Sequence, residues 1–302
     1  MFKPTPIKKN IYIYFKENIN MSFLLSLIIP LLIWGPFFPD LIVSFSALFF
    51  LYYSFKNNNF FYFNNLPFIL FLLFIMIAII SSLESENISL SIKSSLPYFR
   101  IGVFSCFIWY LIDKNKNILK YFYFALIFCF SALVIDGYFQ FFLGYNIVGF
   151  PAIDSRISSF FEDELIMGSY LSRLFPLLFA LFLFKKKNKF EIYFIGILFV
   201  LVDVLIYISS ERTAFFFLNL STVFIIILIK EYQKFRLITL IFSFVLIGIL
   251  TLSSDKLAER MIKGPAKSMG LVKDAQKKNI FTPSHDSLIR TAMNMFIDKP
   301  IL

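Results

Sequence analysis

Nine apolar runs punctuate the chain, at approximately 21–36, 40–55, 66–82, 96–112, 119–142, 164–184, 190–209, 212–229 and 235–252. A bilayer core of about 30 Å needs roughly 20 apolar residues in helical form, so each run reads as a membrane-spanning helix. The runs are continuous rather than alternating, which excludes a closed barrel. The expected fold is all-α, a polytopic transmembrane helix bundle with about nine spans over residues 1–252 and a polar external segment over 253–302. Gly35-Pro36-Phe37-Phe38-Pro39-Asp40 joins the first two runs, which are short, into a tight hairpin.

The polar positions between the runs set an orientation. The leader carries Lys3, Lys8, Lys9 and Lys16. Alternate connections carry Lys56, then Lys114, Lys116 and Lys120, then Lys185, Lys186, Lys187 and Lys189, then Lys230, Lys234 and Arg236. The intervening connections are poor in Lys and Arg and partly acidic, with Asp40, Glu84, Glu86, Asp154, Glu162, Asp163 and Glu164. By the positive-inside rule the N-terminus is cytoplasmic, and nine spans leave the residues after about 252 on the periplasmic side of a bacterial inner membrane. Within that segment two helices are expected, Asp255 to Ile262 and Ser284 to Asp298. Ser284 reads as the N-cap of the second and Pro300 as its stop. Ile289, Met293 and Phe296 fall on one face of it, so it should lie on the membrane or cap the bundle.

Composition supports the same picture and removes several function classes. The chain is 59% hydrophobic and 16% charged, against about a quarter charged in ordinary soluble domains. Its net charge of +10 resides mainly in the short loops, so it is a topology signal and not a nucleic-acid footprint. The long polar leader, with no small-residue cleavage site in the first apolar run, is not a cleavable signal. Phosphate-loop, HExxH, paired CxxC and GxSxG patterns are all missing. With one His, and with Cys106 and Cys129 inside apolar runs as packing residues, no metal site or cofactor is expected.

Ionisable residues near or below the external surface hold the remaining chemistry. Arg156, Arg173, Arg212 and Arg290 stand out there, because a guanidinium presents a charged planar fork suited to phosphate. Arg212 either contributes to such a site or snorkels beside Glu211. Arg290 either contributes or pairs with Asp286 one turn away, a contact worth about 0.3–0.5 kcal/mol. Arg173 lies about 13 Å deep at 1.5 Å per residue. It is expected to join Asp136 and Asp203 in a buried network that supports the site from below. Its replacement by Leu should then reduce folded yield. His285 reads as a polar residue of a surface helix, and Glu162-Asp163-Glu164 as an acidic helix start.

A run of these residues resembles a known family. Arg156-Ile157-Ser158-Ser159-Phe160-Phe161, then Met167-Gly168-Ser169-Tyr170-Leu171 and Pro176, is similar to the "R-x-S-G-x-F … G-x-Y-L … P" stretch of O-antigen ligases and O-antigen polymerases. Ser209-Ser210-Glu211-Arg212-Thr213-Ala214 resembles their next marker, a small-residue turn with Arg at a helix start. Arg290, Met293 and Phe296-Ile297-Asp298-Lys299-Pro300-Ile301-Leu302 resemble the segment in their periplasmic loop. The resemblance covers roughly residues 150–302. It implies a metal-independent glycosyltransferase that takes a glycan from undecaprenyl pyrophosphate and passes it to an acceptor. That acceptor is lipid A–core in ligases, the favoured reading, and a second lipid-linked glycan in polymerases. Arg212 and Arg290 match the family's functional arginines and Arg156 a supporting, substrate-binding one. The family's pattern continues past Leu302 into Gly-x-Gly, a loop histidine acting as general base and further spans. His285 does not match that histidine, so the chain is expected to be a truncated form. A lipid-linked-sugar transporter or flippase, and a non-catalytic assembly subunit, are the competing readings.

Overall fold

The computed structural model describes residues 19–154, 156–184, 188–268 and 283–298. The leader lysines, Lys185 to Lys187 and the Lys299 to Leu302 marker lie outside the described residues. The described residues form helices and two isolated bridges, Tyr145 with Pro151 and Ile153 with Arg156, and no strand.

The chain is a membrane protein built from apolar helices. Among the described residues seven of them are long and apolar enough to cross a bilayer, and Met21–Trp34 and Arg212–Leu228 are apolar but shorter. The nine runs therefore each become a helix, of which seven reach full spanning length. Large apolar side chains face outward along them, as at Phe45, Phe74, Ile77 and Phe128, each more than 60% exposed. Hydrocarbon is the solvent that such surfaces fit.

Two compact units divide the chain at Leu126/Ile127, inside a helix. In the first unit, α1 (Ile19–Ser26) and α2 (Ile28–Trp34) precede a tight turn at Gly35, whose φ of +131° suits a residue without Cβ. There follow α3 (Phe37–Lys56), α4 (Leu66–Leu83), α5 (Ile88–Ser95) and α6 (Phe99–Lys114). Asn65 caps α4 by accepting from the Phe68 amide at 2.9 Å, the usual device for an orphan first-turn donor. Phe50 on α3 is buried among Phe63, Phe107 and Tyr110, with ring centroids 5.3–5.4 Å away. Cys106 is buried in the same core. Arg100 on α6 ties back to α3, donating to Asp40 at 2.6 Å and Ser44 at 2.8 Å.

The helix α7 (Asn117–Leu143) contains the division, and its Ile127–Leu143 portion belongs to the second unit. That unit continues with a long connection and then α8 (Met167–Phe184), α9 (Lys189–Ile208), α10 (Arg212–Leu228) and α11 (Gln233–Ser253). The helix expected over Asp255 to Ile262 is present and runs on to Ser268, as α12 (Asp255–Ala258), a π-helical turn Glu259–Lys263 and α13 (Gly264–Ser268). The final helix is α14 (Pro283–Asp298), and the capping role expected of Ser284 lies outside the described side chains. Glu162, Asp163 and Glu164 precede α8 as loop, with Glu162 at φ +54°, and do not begin the helix.

The core of the second unit is aromatic. Phe175, Phe179, Phe182 and Phe199 are fully buried, and Phe175 lies 4.9 Å from Phe199. A charge pair sits among them. Arg236, expected among the cytoplasmic loop cations, is fully buried in α11 and donates to both oxygens of Asp203, at 2.8 and 3.0 Å. Its guanidinium also donates to Thr222 at 2.7 Å and stacks 4.5 Å over the Phe175 ring. Ser243 completes the shell by donating to Asp203 at 2.8 Å. Buried charge of this kind persists only when paired and hydrogen-bonded.

The expected Arg173–Asp136–Asp203 network is thus not formed. Arg173 is exposed on α8, Asp203 is satisfied by Arg236, and Asp136 holds a loop. The physical reason is angular. On α8, Leu171, Ser172 and Phe175 face inward, which leaves residue 173 on the outer side of a 3.6-residue turn.

Candidate functional site

Three polar residues of α7 and its C-terminal continuation, all fully buried, brace the loop that supplies one wall through Arg156. Asp136 accepts from the Ile147 amide at 2.8 Å and from the Ser159 hydroxyl at 2.5 Å. One turn on, Gln140 accepts from the Ser158 and Ser159 amides at 3.0 and 2.7 Å, and donates to the Phe150 carbonyl at 3.2 Å. Asn146 accepts from the amides of Val148, Gly149 and Phe150 and donates to the Ser159 carbonyl at 2.9 Å. An otherwise irregular connection therefore has its buried amides satisfied by side chains. Its backbone is held even where it is strained. Ser159 sits at φ +54°, a conformation that glycine takes freely, and its hydroxyl anchors to Asp136. Arg156 emerges from this braced segment.

Glu211 builds the second wall. Between α9 and α10 the chain turns through Ser209 and Ser210, the latter at φ +62°. Glu211 then accepts from the Gly168 amide at 2.6 Å, the Ser169 amide at 3.0 Å and the Ser169 hydroxyl at 2.7 Å. Those amides are orphan donors at the start of α8, and a carboxylate there is favoured by the helix dipole as well. Glu211 is thus engaged by the start of α8. The space is tight. A Cβ added at Gly168 would lie 2.6 Å from the Ser209 hydroxyl and 2.9 Å from a Glu211 carboxylate oxygen.

Between these walls lies a cleft of about 670 Å³, lined by Arg156, Arg212 and Arg260 together with Ser169, Glu211 and His285. Arg260 comes from the π-helical turn and donates to the Asp154 carbonyl. Burial, together with the like charges of Arg260 and Arg212, holds the Arg156 guanidinium below its ordinary pKa, opposed by the Glu211 charge. Like charges gathered in this way repel each other until an anion enters, which is the electrostatic character of an anion site.

Arg156 and Arg212 are therefore brought together. Arg290 is not brought to the cleft; it lies on α14 with its side chain 77% exposed and pairs with Asp286 at 2.7 Å. Arg260 takes the third place. The sequence offered no motif for it, only a basic residue in a short polar helix. His285, read as a surface residue, lines the cleft. Among the described residues no group of three or more His, Cys, Asp or Glu could hold a metal ion. No family model, no curated protein and no solved structure matches the chain.

Proposed function

We propose that the three-arginine cleft binds the diphosphate of a lipid-linked glycan and that the chain transfers this glycan to an acceptor, in the manner of an O-antigen ligase. The observation that carries this reading is the convergence of Arg156, Arg212 and Arg260 on one cleft. Guanidinium forks match phosphate oxygens, and a permanent positive charge stabilises the anion that forms when the leaving group departs. The acceptor hydroxyl oxygen bonds to the anomeric carbon while the bond from that carbon to the diphosphate oxygen breaks. The electron pair leaves on the diphosphate, held by the arginines, and the hydroxyl proton passes to a base. The resemblance of residues 156–161, 167–176 and 209–214 to O-antigen ligases and polymerases supports the reading, and Ser159 adds to it. Its left-handed backbone occupies the place where the family pattern has glycine.

The proposed setting is the bacterial inner membrane. With all nine apolar helices counted as crossings, the Lys-rich connections fall on the cytoplasmic side and the cleft on the periplasmic side. Undecaprenyl diphosphate carries the glycan, and lipid A–core is the favoured acceptor.

Reconstituted vesicles given radiolabelled undecaprenyl-linked glycan and acceptor provide the test. A new covalent product that disappears with Arg212→Ala supports the transfer reading. Label that crosses the membrane chemically unchanged would make the protein a transporter instead.

A further inference from the structure

A second cleft of about 780 Å³ adjoins the first, and the two share Arg260 and Ser210 in their linings. Their charges differ. The first gathers three arginines against Glu211, whereas the second is lined by Asp154, Glu259, Lys256 and Arg260, for no net charge, with one Glu259 carboxylate oxygen accepting from Lys267 at 3.0 Å and the other left for a ligand. Phe141 adds an aromatic surface to this second lining. A neutral cleft that mixes carboxylates, an ammonium and a ring suits a ligand rich in hydroxyls. Carboxylates accept from hydroxyls in charge-assisted hydrogen bonds, and a ring packs against the C–H face of a pyranose.

Arg260 forms the wall between the clefts. Arg260 is tethered to the Asp154 carbonyl on the braced loop, so an anion on one side of that guanidinium is adjacent to whatever occupies the other. We infer that the second cleft is a saccharide site, which takes a neutral sugar while its attached diphosphate occupies the three-arginine cleft. The inference rests on the diphosphate reading above and extends it by assigning Asp154, Glu259 and Phe141 to sugar recognition.

The purified chain in nanodiscs tests it with three probes: farnesyl diphosphate, the same diphosphate carrying a disaccharide, and the free disaccharide. The readout is the affinity gained by attaching the sugar. Wild-type protein should gain about tenfold or more, the equivalent of one good charge-assisted contact. Asp154→Asn combined with Glu259→Gln should erase that gain without weakening farnesyl diphosphate binding. Both side chains are solvent-exposed, and their substitution leaves the Asp154 carbonyl in place. Saturable binding of the free disaccharide with no gain on its attachment to the diphosphate overturns the inference, because the cleft then takes a sugar that is not joined to the diphosphate. Farnesyl diphosphate binding with no sugar gain and no disaccharide binding overturns the inference but leaves the diphosphate site standing. Failure of farnesyl diphosphate to bind overturns the diphosphate reading itself.

Discussion

Arg236 grips Asp203 through two guanidinium nitrogens, at 2.8 and 3.0 Å, in a part of the second unit where both residues are almost completely enclosed. The pair couples α9 to α11, and Thr222 extends it to α10. Removing one partner strands a charge among aromatic rings, at a cost of about 3–5 kcal/mol. Arg236→Met should therefore sharply reduce folded yield in detergent, and Arg236→Met with Asp203→Leu should recover much of it. Size-exclusion profiles and thermal melts of the two variants check this. Arg173→Leu, by contrast, should leave the yield unchanged, since Arg173 is exposed and outside this network.

The cleft arginines should separate cleanly from Arg290. Each charge-assisted contact contributes about 1.5–3 kcal/mol, so Arg156→Ala, Arg212→Ala and Arg260→Ala should each weaken diphosphate binding by about ten- to a hundredfold. Arg290→Ala removes only an exposed one-turn ion pair and should leave the affinity within about twofold. Titration with farnesyl diphosphate makes the comparison, and equal losses at Arg290 and Arg212 would contradict the placement of the site.

Gly168 sets how closely Glu211 approaches α8. Gly168→Ala would force aside the Ser209 hydroxyl and the Glu211 carboxylate, which lie within 3 Å of the added carbon. The expected result is a destabilisation of about 1–3 kcal/mol accompanied by weaker diphosphate binding, because Arg212 follows Glu211 directly. Glu211→Gln keeps one acceptor and should show the milder form of both effects. A melt combined with a binding curve distinguishes them from simple misfolding.

Ser159 offers a backbone test. Ser159→Ala and Ser159→Gly both delete the hydrogen bond to Asp136, but only glycine is at ease at φ +54°. The glycine variant should be the more stable by about 1 kcal/mol. Equal melting temperatures would show that the loop relaxes out of the left-handed conformation.

Much of the architecture is local, and local physics is legible along the chain. Continuous apolar runs specify helices in lipid because every backbone group must be satisfied within the segment. That is why all nine runs became helices, with Gly35-Pro36 as a turn and Arg212 at a helix start. The sequence could also nominate Arg156 and Arg212, since a guanidinium near a membrane surface needs a reason to be there.

Which charges meet was decided in three dimensions. A run that is apolar on every side does not reveal which face is buried, so the depth of Arg173 along its helix said nothing about its direction. Arg236, at a helix start, looked like one more loop cation until its long side chain was seen to reach Asp203 on a helix 33 residues earlier. Arg260 joined the cleft, and Arg290 stayed outside it, through the path of a π-helical turn and of α14, which no periodicity encodes. The chain itself determined the solvent, the helices and the kind of chemistry a cationic site can do. Tertiary structure alone chose the partners, because pairing depends on helix rotation and loop path, and neither is a local property of the sequence.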